Sequence, residues 1–372
     1  MASQSRGGDR GDRSWISERI VQVIKKYVLA PLKAEKIPYF ELLARTKDNV
    51  YIDELTNIIR LGSKKIRRKL SDIDEAKTFM KTVLVAAIIY EAIKYNKYPT
   101  IRDVYYDAKH TIPGTNIDTV DTQAESDSII EDLEVMLGAS REEMGLQTDV
   151  KCKVVGLMRV RSGRDIIDCS RQGEGGAYSP PTNVDRLEFL DVDAEYVLVV
   201  EKDAVFNTLN MERYWEKNKC ILITAGGQPD RPARRLVRRL NEEFNLPIYV
   251  LTDADPYGFY IYSVYRIGSI TLSHESVRLA CPKARFIGVA VSDIYEYNLP
   301  KNVIIKAKDA DIKRATELKT YPWFKSPAWQ RELDLFLQRK EKAEIEAFSS
   351  KSLGFLEEKY LPEKIRSGHF IV

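Results

Sequence analysis

Two apolar segments run directly into acidic residues, and this pattern constrains the fold of the chain more than any other. Residues 196–200 read YVLVV and are followed by Glu201, while residues 248–252 read IYVLT and are followed by Asp253 and Asp255. Short runs rich in β-branched residues are typical of buried parallel strands. Ligands in open α/β sheets bind at the carboxyl ends of such strands. The sequence therefore predicts a parallel α/β domain whose functional site lies at these carboxylates.

The three acids have the chemistry of a site for a hard metal ion. Asp253 and Asp255 are two residues apart, so their side chains lie on the same face of an extended segment. Carboxylates gathered at one place resist ionising together, and Mg²⁺ with oxygen ligands removes that conflict. The alternative is that each acid only caps a helix or a turn. Because strand order is not encoded in the pattern, the convergence of Glu201 with the aspartates is a hypothesis.

Composition bounds the class of protein. A chain of 372 residues, 44% hydrophobic and 30% charged, is expected to be soluble and to form two or three domains with substantial cores. The apolar stretch 83–90 is short and flanked by Lys81 and Lys94, which predicts a core helix and no membrane span. The polar N-terminal arm lacks the apolar region of a secretory signal. The net charge of +3 does not by itself indicate nucleic-acid binding.

Cysteine, histidine and glycine usage argues against three kinds of site. The four cysteines form no CxxC motif and the three histidines lie far apart, so neither a disulfide framework nor a zinc site is expected, and a reducing cytoplasm fits. The glycine-containing segments 172–176 and 225–228 lack the lysine and the following helix of a phosphate-binding loop. If ATP is used, we expect a partner protein to bind it.

The first part of the chain alternates short helices and strands. Pro99 ends the predicted helix 74–95, Thr100 is a good N-cap for the next helix, and Gly138 is a natural stop for the third. Three helices followed by a strand at 150–159 suggest a helix-turn-helix of the winged type. The remaining predicted elements are helices at 15–28, 101–110 and 123–137 and strands at 39–44 and 49–52.

The second part of the chain begins with a Gly-, Ser- and Pro-rich segment at 161–183, which we interpret as an irregular connection. Strands and helices alternate beyond it, as in a parallel α/β domain. The predicted strands are 196–200, 220–224, 248–252 and 286–291, and the predicted helices are 206–217, 232–244, 256–268 and 329–348.

Tyr105 and Tyr106 lie on the predicted helix 101–110 together with Arg102 and Lys109. A tyrosine is a poor nucleophile unless cations, a metal or a base stabilise its phenolate. Adjacent residues point about 100° apart on a helix, so the two tyrosines cannot both face one site. The alternative is packing, because most of the 20 tyrosines in the chain must serve that purpose.

Two clusters of basic residues are candidates for phosphate contacts. Residues 64–69 read KKIRRK, which suits either phosphate binding or a solvated face. Helical spacing places a row of arginines on one side of the helix 232–244, and such a row suits DNA backbone binding. The alternative is that carboxylates such as Glu242 and Glu243 pair with them. The tentative DNA-binding residues are Arg231, Arg234, Arg235 and Arg238.

These motifs together resemble the A subunit of type IIB DNA topoisomerase (topoisomerase VI), which is related to the meiotic double-strand-break transesterases. The resemblance extends from about residue 70 to the C-terminus, and the chain does not depart from the family pattern at the key positions. It rests on RDVYY at 102–106, QAESD at 123–127, VEKD at 200–203, GQPD at 227–230, DADPYG at 253–258 and SD at 292–293.

The resemblance implies a multidomain α/β protein, in which a winged-helix (CAP-like) domain precedes a Toprim parallel α/β domain. Residues 1–70 would form an arm and a partner-contacting extension, residues 71–150 the winged-helix domain, and residues 151–372 the Toprim domain with its linker and C-terminal helices. The partners implied are double-stranded DNA, a second copy of the chain, and a GHKL-type ATPase B subunit that binds ATP in an A2B2 assembly. The expected location is the cytoplasm, at the nucleoid.

The resemblance also implies a mechanism and residue roles. Tyr106 would attack a DNA phosphate and form a 5′-phosphotyrosyl link, with Arg102 stabilising the charge on the phosphate. Glu201, Asp253 and Asp255 would hold Mg²⁺, and Glu201 is a further candidate for acid or base at the 3′ oxygen. With its ATPase partner the enzyme would cut both strands, religate them, and thereby relax supercoils or decatenate DNA.

Three other functions remain compatible with these residues. A Toprim hydrolase would use the acids without any covalent link to tyrosine. A meiotic-type transesterase would make double-strand breaks without strand passage. A non-enzymatic winged-helix protein would bind DNA and use the acids only structurally.

Overall fold

The computed structural model describes residues 12–368 and 370–371, which belong to two compact units. The first unit contains the described residues up to Tyr51 together with Arg60–Asp149 and Ile270–Glu275. The second unit contains Ile52–Ile59, Val150–Ser269 and the residues from Ser276 onward. In the described ranges, no helix is both long and apolar enough to cross a membrane.

The first unit is mainly helical. The predicted helix at 15–28 is confirmed but runs further, because a π-helical turn at Lys25–Leu29 joins its two α-helical parts. The helices are α1 (Ser14–Ile24), α2 (Ala30–Lys33), α3 (Ile73–Lys94), α4 (Ile101–Ala108) and α5 (Gln123–Leu137). The strands along this stretch of chain are β1 (Tyr39–Leu43), β2 (Val50–Asp53), β3 (Ile58–Leu61) and β4 (Lys65–Lys69).

The helices α1, α3, α4 and α5 share one apolar core, to which each contributes side chains spaced along one face. Fully buried examples are Ile16, Ile89, Val104 and Leu133. Gly138 ends α5 in the left-handed conformation with φ +62°, as predicted from its position. The strand that follows α5 in the chain lies in the second unit, so the winged-helix assignment stays a prediction.

The basic stretch at 64–69 contains strand β4, which begins at Lys65 and pairs antiparallel with β1. Its side chains alternate between the two faces of the sheet, so Lys65 and Arg67 share the exposed face. Both bind the carboxylate of Glu41, at 2.9 Å and 3.1 Å. Arg68, on the other face, binds buried Asp132 at 2.6 Å. Ion pairing therefore accounts for three of the basic side chains in this strand.

The second unit contains the remaining elements. Its strands are β5 (Lys153–Gly156), β6 (Met158–Ser162), β7 (Asp165–Asp168), β8 (Leu187–Val192), β9 (Tyr196–Val200), β10 (Cys220–Thr224), β11 (Ile248–Leu251), β12 (Arg285–Gly288), β13 (Ile305–Lys306) and β14 (Glu341–Lys342). Its helices are α6 (Asp203–Met211), α7 (Tyr214–Lys217), α8 (Arg231–Phe244), α9 (Pro256–Ile267), α10 (Ser276–Leu279), α11 (Val291–Glu296), α12 (Asp309–Thr320), α13 (Pro327–Arg339) and α14 (Leu361–Ser367).

The central sheet confirms the predicted parallel α/β arrangement. Its strand order is β12-β11-β9-β10-β5, and every neighbouring pair is parallel except β10 with β5. The strands β9, β10 and β11 are buried along their whole length, as expected for a sheet covered on both faces. Parallel order places the carboxyl ends of β9 and β11 side by side.

Four predicted elements have different bounds. The strand at 150–159 is two strands in different sheets, separated at Gly156 (φ +134°), where a Cβ would lie 2.4 Å from the carbonyl oxygen of Cys220. The segment 161–183 is not wholly irregular, because it contains β7, which pairs with β6. The helix at 206–217 breaks at Arg213, which is left-handed (φ 54°). The strand at 286–291 ends at Gly288, and α11 begins at Val291.

The predicted helix at 329–348 is wrong in its second half. It ends at Arg339, and Lys340 adopts a left-handed conformation with φ 54°. The chain then extends through β14, which pairs antiparallel with β13, and enters a 3-10 segment at Ile345–Ser350. This change of direction brings the C-terminal part of the chain to the predicted acidic site.

Candidate catalytic and metal-binding site

Glu201 and Asp253 lie side by side at the ends of adjacent strands. The register pairs Val200 of β9 with Leu251 of β11, and the Glu201 N–H continues this ladder by donating to the Leu251 carbonyl at 3.0 Å. The Asp253 N–H then donates to Glu201 Oε2 at 3.0 Å. Glu201 and Asp253 are thus brought together, whereas the gathering of all three acids around a cation stays a prediction.

The two carboxyl groups resist ionisation. Burial raises the pKa of Glu201 to about 7, and the neighbouring charge of Asp253 adds to the effect. Burial also raises the pKa of Asp253 to about 6, although the Ile345 N–H and Lys202 act in the opposite direction. A carboxylate pair held in this way binds a cation readily, because the cation replaces the solvation that burial has removed.

Residues 341–346, here called the C-terminal strap, run along the Asp253–Asp255 segment. The Ala254 N–H donates to the Ala343 carbonyl at 2.9 Å, and the Ile345 N–H donates to Asp253 Oδ1 at 2.9 Å. The strap therefore fixes the orientation of the Asp253 side chain. Sequence reasoning missed the strap, because its alternating Glu, Lys and Ala residues favour a helix and no local signal announces the turn at Lys340.

Two lysine ammonium groups lie against the predicted metal-binding aspartates. Lys202 Nζ is 3.1 Å from Asp253 Oδ2, and it also binds strap residues Glu344 and Glu346 at 3.2 Å and 2.9 Å. Burial lowers the pKa of Lys202, but the hydrogen bond that it donates to Glu346 and the charge of Asp253 outweigh this and raise the pKa overall. Lys202 is therefore a bound cation within the acidic site.

Asp255 has a structural role as well as a position in the site. It is the N-cap of α9, and its Oδ1 accepts hydrogen bonds from the N–H groups of Tyr257 and Gly258 at 2.9 Å and 2.8 Å. The capping alternative is thus correct for one of its oxygens. The other, Oδ2, lies 3.5 Å from Lys342 Nζ, and Lys342 also binds Asp311 Oδ1 at 3.1 Å.

The donor set fits a hard divalent cation, although Lys202 and Lys342 bind two of its carboxylates in this structure. Glu201, Asp253 and Asp255 supply only oxygen ligands, and two of these acids have pKa values raised by burial. Within the described part of the chain, no three His, Cys, Asp or Glu side chains gather into a metal-holding group. Ammonium groups bind Asp253 Oδ2 and Asp255 Oδ2, two of the oxygens that a metal would require.

The helix that carries the tyrosine pair begins at a capping box. Thr100 Oγ1 accepts from the Asp103 N–H at 3.0 Å, and Asp103 Oδ2 accepts from the Thr100 N–H at 2.8 Å. This confirms the predicted N-cap at Thr100 and fixes the first turn of α4. The next turn carries the tyrosine pair, so the cap determines how rigidly those side chains are presented.

Tyr105 and Tyr106 differ in burial, although their ring centroids lie only 5.1 Å apart. Tyr105 is partly buried against the helical core, and its hydroxyl accepts a hydrogen bond from Lys109 Nζ at 3.1 Å. Tyr106 is 62% exposed. Arg102 is also exposed and lies four residues earlier, on the same face of α4. These residues belong to the first unit, whereas Glu201, Asp253 and Asp255 belong to the second.

The arginines of α8 that were predicted to bind DNA are buried or paired with carboxylates. Arg231 and Arg234 are only 4% and 1% exposed. Arg235 binds Asp185 at 2.6 Å, and Arg238 binds Glu242 at 2.6 Å. The alternative of carboxylate partners holds for Arg235 and Arg238, and phosphate binding by the four arginines stays a prediction that their burial and pairing disfavour.

Comparison with known proteins gives matches over both units. Residues 196–365 match the Toprim-domain family shared by the topoisomerase 6 A subunit and Spo11, and residues 77–146 match the family described as Type IIB DNA topoisomerase. The chain is 55% identical to the A subunit of type 2 DNA topoisomerase 6 from Hyperthermus butylicus, over 93% of each protein.

Two further relatives show how widely this similarity extends. The A subunit of type 2 DNA topoisomerase 6 from Sulfurisphaera tokodaii is 50% identical over 98% of this chain and 97% of its own length. The A subunit of DNA topoisomerase 6 from Arabidopsis thaliana is 33% identical over 88% of this chain and 75% of its own length. The resemblance described from the motifs is thereby confirmed. Because the Sulfurisphaera tokodaii match covers nearly the whole chain, it also includes most of the first 70 residues.

Proposed function

The chain belongs to the family of type IIB DNA topoisomerase A subunits, and on that premise we propose that it cuts and rejoins both strands of duplex DNA through a phosphotyrosine link. The observation that carries the proposal is the hydrogen bond from the Asp253 N–H to Glu201, which joins a buried and a partly buried acid at the ends of adjacent parallel strands. Such a site, supplied with a cation, stabilises charge on a reacting phosphate.

In the proposed cleavage step, the Tyr106 oxygen attacks the phosphorus and forms the new phosphotyrosyl bond. The bond from phosphorus to the 3′ oxygen breaks, the phenol gives up its proton, and the 3′ oxygen becomes a hydroxyl. The exposure of Tyr106 supports this role, because a nucleophile must reach a DNA backbone. Arg102, on the same exposed face, would bind the phosphate oxygens as their charge develops. Religation is the reverse step, and it needs no further energy because the link stores that of the broken bond.

Glu201, Asp253 and Asp255 are proposed to bind Mg²⁺, which would supply positive charge at the phosphate and at the leaving 3′ oxygen. Glu201 is also a candidate proton donor to the 3′ oxygen, since a pKa of about 7 suits an acid that works near neutral pH. The two roles compete, because a carboxylate that binds a cation gives up its proton. Asp253 is held in place by the strap and is the better candidate for a permanent ligand.

The proposed assembly rests on the family and on which of the two units supplies each residue. Tyr106 belongs to one and the acids belong to the other, and the family implies a homodimer in which the tyrosine of one copy meets the acids of the second. Two such composite sites would cut both strands. We propose that the ATP-binding partner is a GHKL-type ATPase B subunit in an A2B2 complex. We also propose a winged-helix fold for residues 71–150 and action at the nucleoid, where the DNA substrate lies.

The test is a search for the covalent intermediate. The chain would be mixed with its ATPase partner, supercoiled DNA, Mg²⁺ and an ATP analogue, and then denatured. Protein-linked linear DNA is expected for wild type and for Tyr105→Phe, and none for Tyr106→Phe. The Tyr105→Phe variant is the matched control, because it removes a hydroxyl from the neighbouring position of the same helix.

Each other outcome points to a different function. An adduct that survives in Tyr106→Phe would move the nucleophile elsewhere. Cleavage without any adduct would favour the Toprim hydrolase, and cleavage that persists in strong chelator would refute the metal-dependent scheme. Adduct formation without relaxation or decatenation would favour a break-making transesterase.

A further inference from the structure

Each of the two lysines at the acidic site binds one aspartate of the DADPYG motif at 253–258 and also binds acids outside that motif. Lys202 Nζ lies 3.1 Å from Asp253 Oδ2 but also 2.9 Å from Glu346 Oε2. Lys342 Nζ lies 3.5 Å from Asp255 Oδ2 but 3.1 Å from Asp311 Oδ1. In both cases the shorter contact is to the acid outside the motif, so neither ammonium group depends on the motif aspartate alone.

This arrangement differs from ordinary surface ion pairing. The side chains of Lys202 and Lys342 are only 23% and 20% exposed, and those of Asp253 and Asp255 only 12% and 15%. Charges in such a setting need a partner at all times, because an unpaired charge that is largely buried is costly. A cation that binds Asp253 and Asp255 would repel both lysines, and the lysines would then need other carboxylates to pair with. Glu344, Glu346 and Asp311 already occupy those positions.

We propose that Lys202 and Lys342 are tethered counter-cations of the metal site. They neutralise Asp253 and Asp255 when no metal is present, and they yield these oxygens to the incoming divalent cation while remaining paired with Glu344, Glu346 and Asp311. This inference rests on the proposed metal-binding role of Glu201, Asp253 and Asp255. In addition, we infer that the cation replaces the lysines at the oxygens of Asp253 and Asp255, and that the acids of the strap determine how readily this exchange occurs.

An exchange reaction has a definite consequence for affinity. The lysine competes with the metal for the same oxygen, so removing the ammonium group strengthens metal binding. Removing the acids that receive the lysine has the opposite effect, because the lysine is then left with the motif aspartate alone. If these acids acted only through their negative charge, their removal would weaken metal binding equally whether or not the lysine is present.

The experiment measures Mn²⁺ binding to the full chain directly, from the electron paramagnetic resonance signal of the free ion. Lys202→Met is expected to bind Mn²⁺ about tenfold more tightly than wild type, the effect of losing one partly buried competing charge. Lys342→Met is an independent second variant with the same expected direction. Lys219→Met is the matched control, because that side chain is 67% exposed and precedes β10 at the opposite end of the sheet.

A double-mutant cycle separates exchange from simple charge effects. The pair Glu344→Gln and Glu346→Gln is expected to weaken Mn²⁺ binding in wild type and to have much less effect in the Lys202→Met background. If the pair of substitutions weakens Mn²⁺ binding equally in wild type and in Lys202→Met, the proposal that these acids hold the displaced lysine is refuted. Tryptophan fluorescence of each variant would verify that it is folded before its binding is compared.

The outcomes also distinguish failure of the counter-cation inference from failure of the proposed metal site. If Asp253→Asn abolishes Mn²⁺ binding while Lys202→Met and Lys342→Met bind as wild type does, the metal site stands and the counter-cation inference is refuted. If Asp253→Asn and Glu201→Gln leave Mn²⁺ binding unchanged, the proposed metal site is itself wrong and the inference falls with it.

Discussion

The folded protein without metal is expected to lose stability as the pH rises, because two buried acids must ionise at the same place. A folded-state pKa of about 7 for Glu201 against an ordinary value of 4.5 corresponds to about 3 kcal/mol, at about 1.4 kcal/mol for each tenfold change in proton affinity. Asp253, raised from 3.8 to about 6, contributes about 3 kcal/mol in the same direction. The two contributions are not additive, since the Asp253 charge itself raises the pKa of Glu201.

The sign follows from which state holds the proton more tightly. Both pKa values are higher in the folded state, so folding is favoured while the carboxyl groups are protonated. That stability is fully present below the unfolded-state pKa values and is lost as the pH rises through the folded-state values. For Glu201, about 2 kcal/mol of the loss falls between about pH 5.5 and about pH 8.

The assay is urea denaturation in chelator across this pH range, followed by tryptophan fluorescence. Three of the four tryptophans (Trp215, Trp323 and Trp329) lie in the second unit, so the signal reports mainly on the unit that holds the acids. Glu201→Gln removes the ionisation, and its stability relative to wild type is expected to increase by about 2 kcal/mol between the two ends of the range. Added Mg²⁺ should stabilise wild type most at high pH, where the carboxylates are charged.

A matched control lies on the same strand. Glu195 immediately precedes β9, at the opposite end from Glu201, and its side chain is 69% exposed. Glu195→Gln is expected to show the pH profile of wild type. If Glu201→Gln also runs parallel to wild type across the range, burial does not raise the pKa of Glu201 and the electrostatic account of the site is refuted.

Three further predictions concern the elements that position the site. Thr100→Ala should destabilise α4 by about 1 kcal/mol and reduce adduct formation, whereas Thr122→Ala, an N-cap residue without a side-chain cap hydrogen bond, should change neither. Ile345→Pro should be less stable than Ile345→Ala by about 1.5–3 kcal/mol in urea denaturation and should bind Mn²⁺ more weakly, because only the proline variant loses the N–H that binds Asp253. Arg235→Gln should lower the free energy of unfolding, because Arg235 loses its pair with Asp185. It should change the slope of log K for DNA binding against log salt concentration by less than about one, and a larger change would restore the phosphate-binding hypothesis.

The elements that could be predicted are those whose cause is local. The buried strands β9, β10 and β11 follow from uninterrupted apolar runs, and the start of α4 follows from Thr100 and Asp103, which bind each other's backbone. The pairing of Glu201 with Asp253 also needed little beyond two strand ends, because parallel neighbours bring their carboxyl ends together.

The elements that could not be predicted depend on partners far away in the chain. Arg235 looks like a surface arginine until Asp185, 50 residues earlier, is placed beside it. The strap looks helical because its residues favour helix. It is held extended by partners distant in the chain, through the pairing of β14 with β13 and of Ala343 with Ala254 and through the bond from the Ile345 N–H to Asp253. Lys202 could have been noticed beside Glu201, but its three carboxylate partners come from segments that sequence spacing does not relate.

The charge balance around the two buried acids indicates why the site would need a metal before it can accept DNA. Six carboxyl groups lie around two ammonium groups. Lys202 and Lys342 bind Asp253, Asp255, Asp311, Glu344 and Glu346, and Glu201 accepts a hydrogen bond from the Asp253 N–H. Even with Glu201 protonated, the balance stays negative, so a DNA phosphate would be repelled. The lysines thus hold the acids together without making the site attractive to DNA. A divalent cation reduces this negative balance and would supply positive charge at the point where a phosphate binds, and the outer acids keep the displaced lysines within reach. Under the proposed function, breakage of DNA is therefore tied to metal binding by the same charges that hold the metal-free site together.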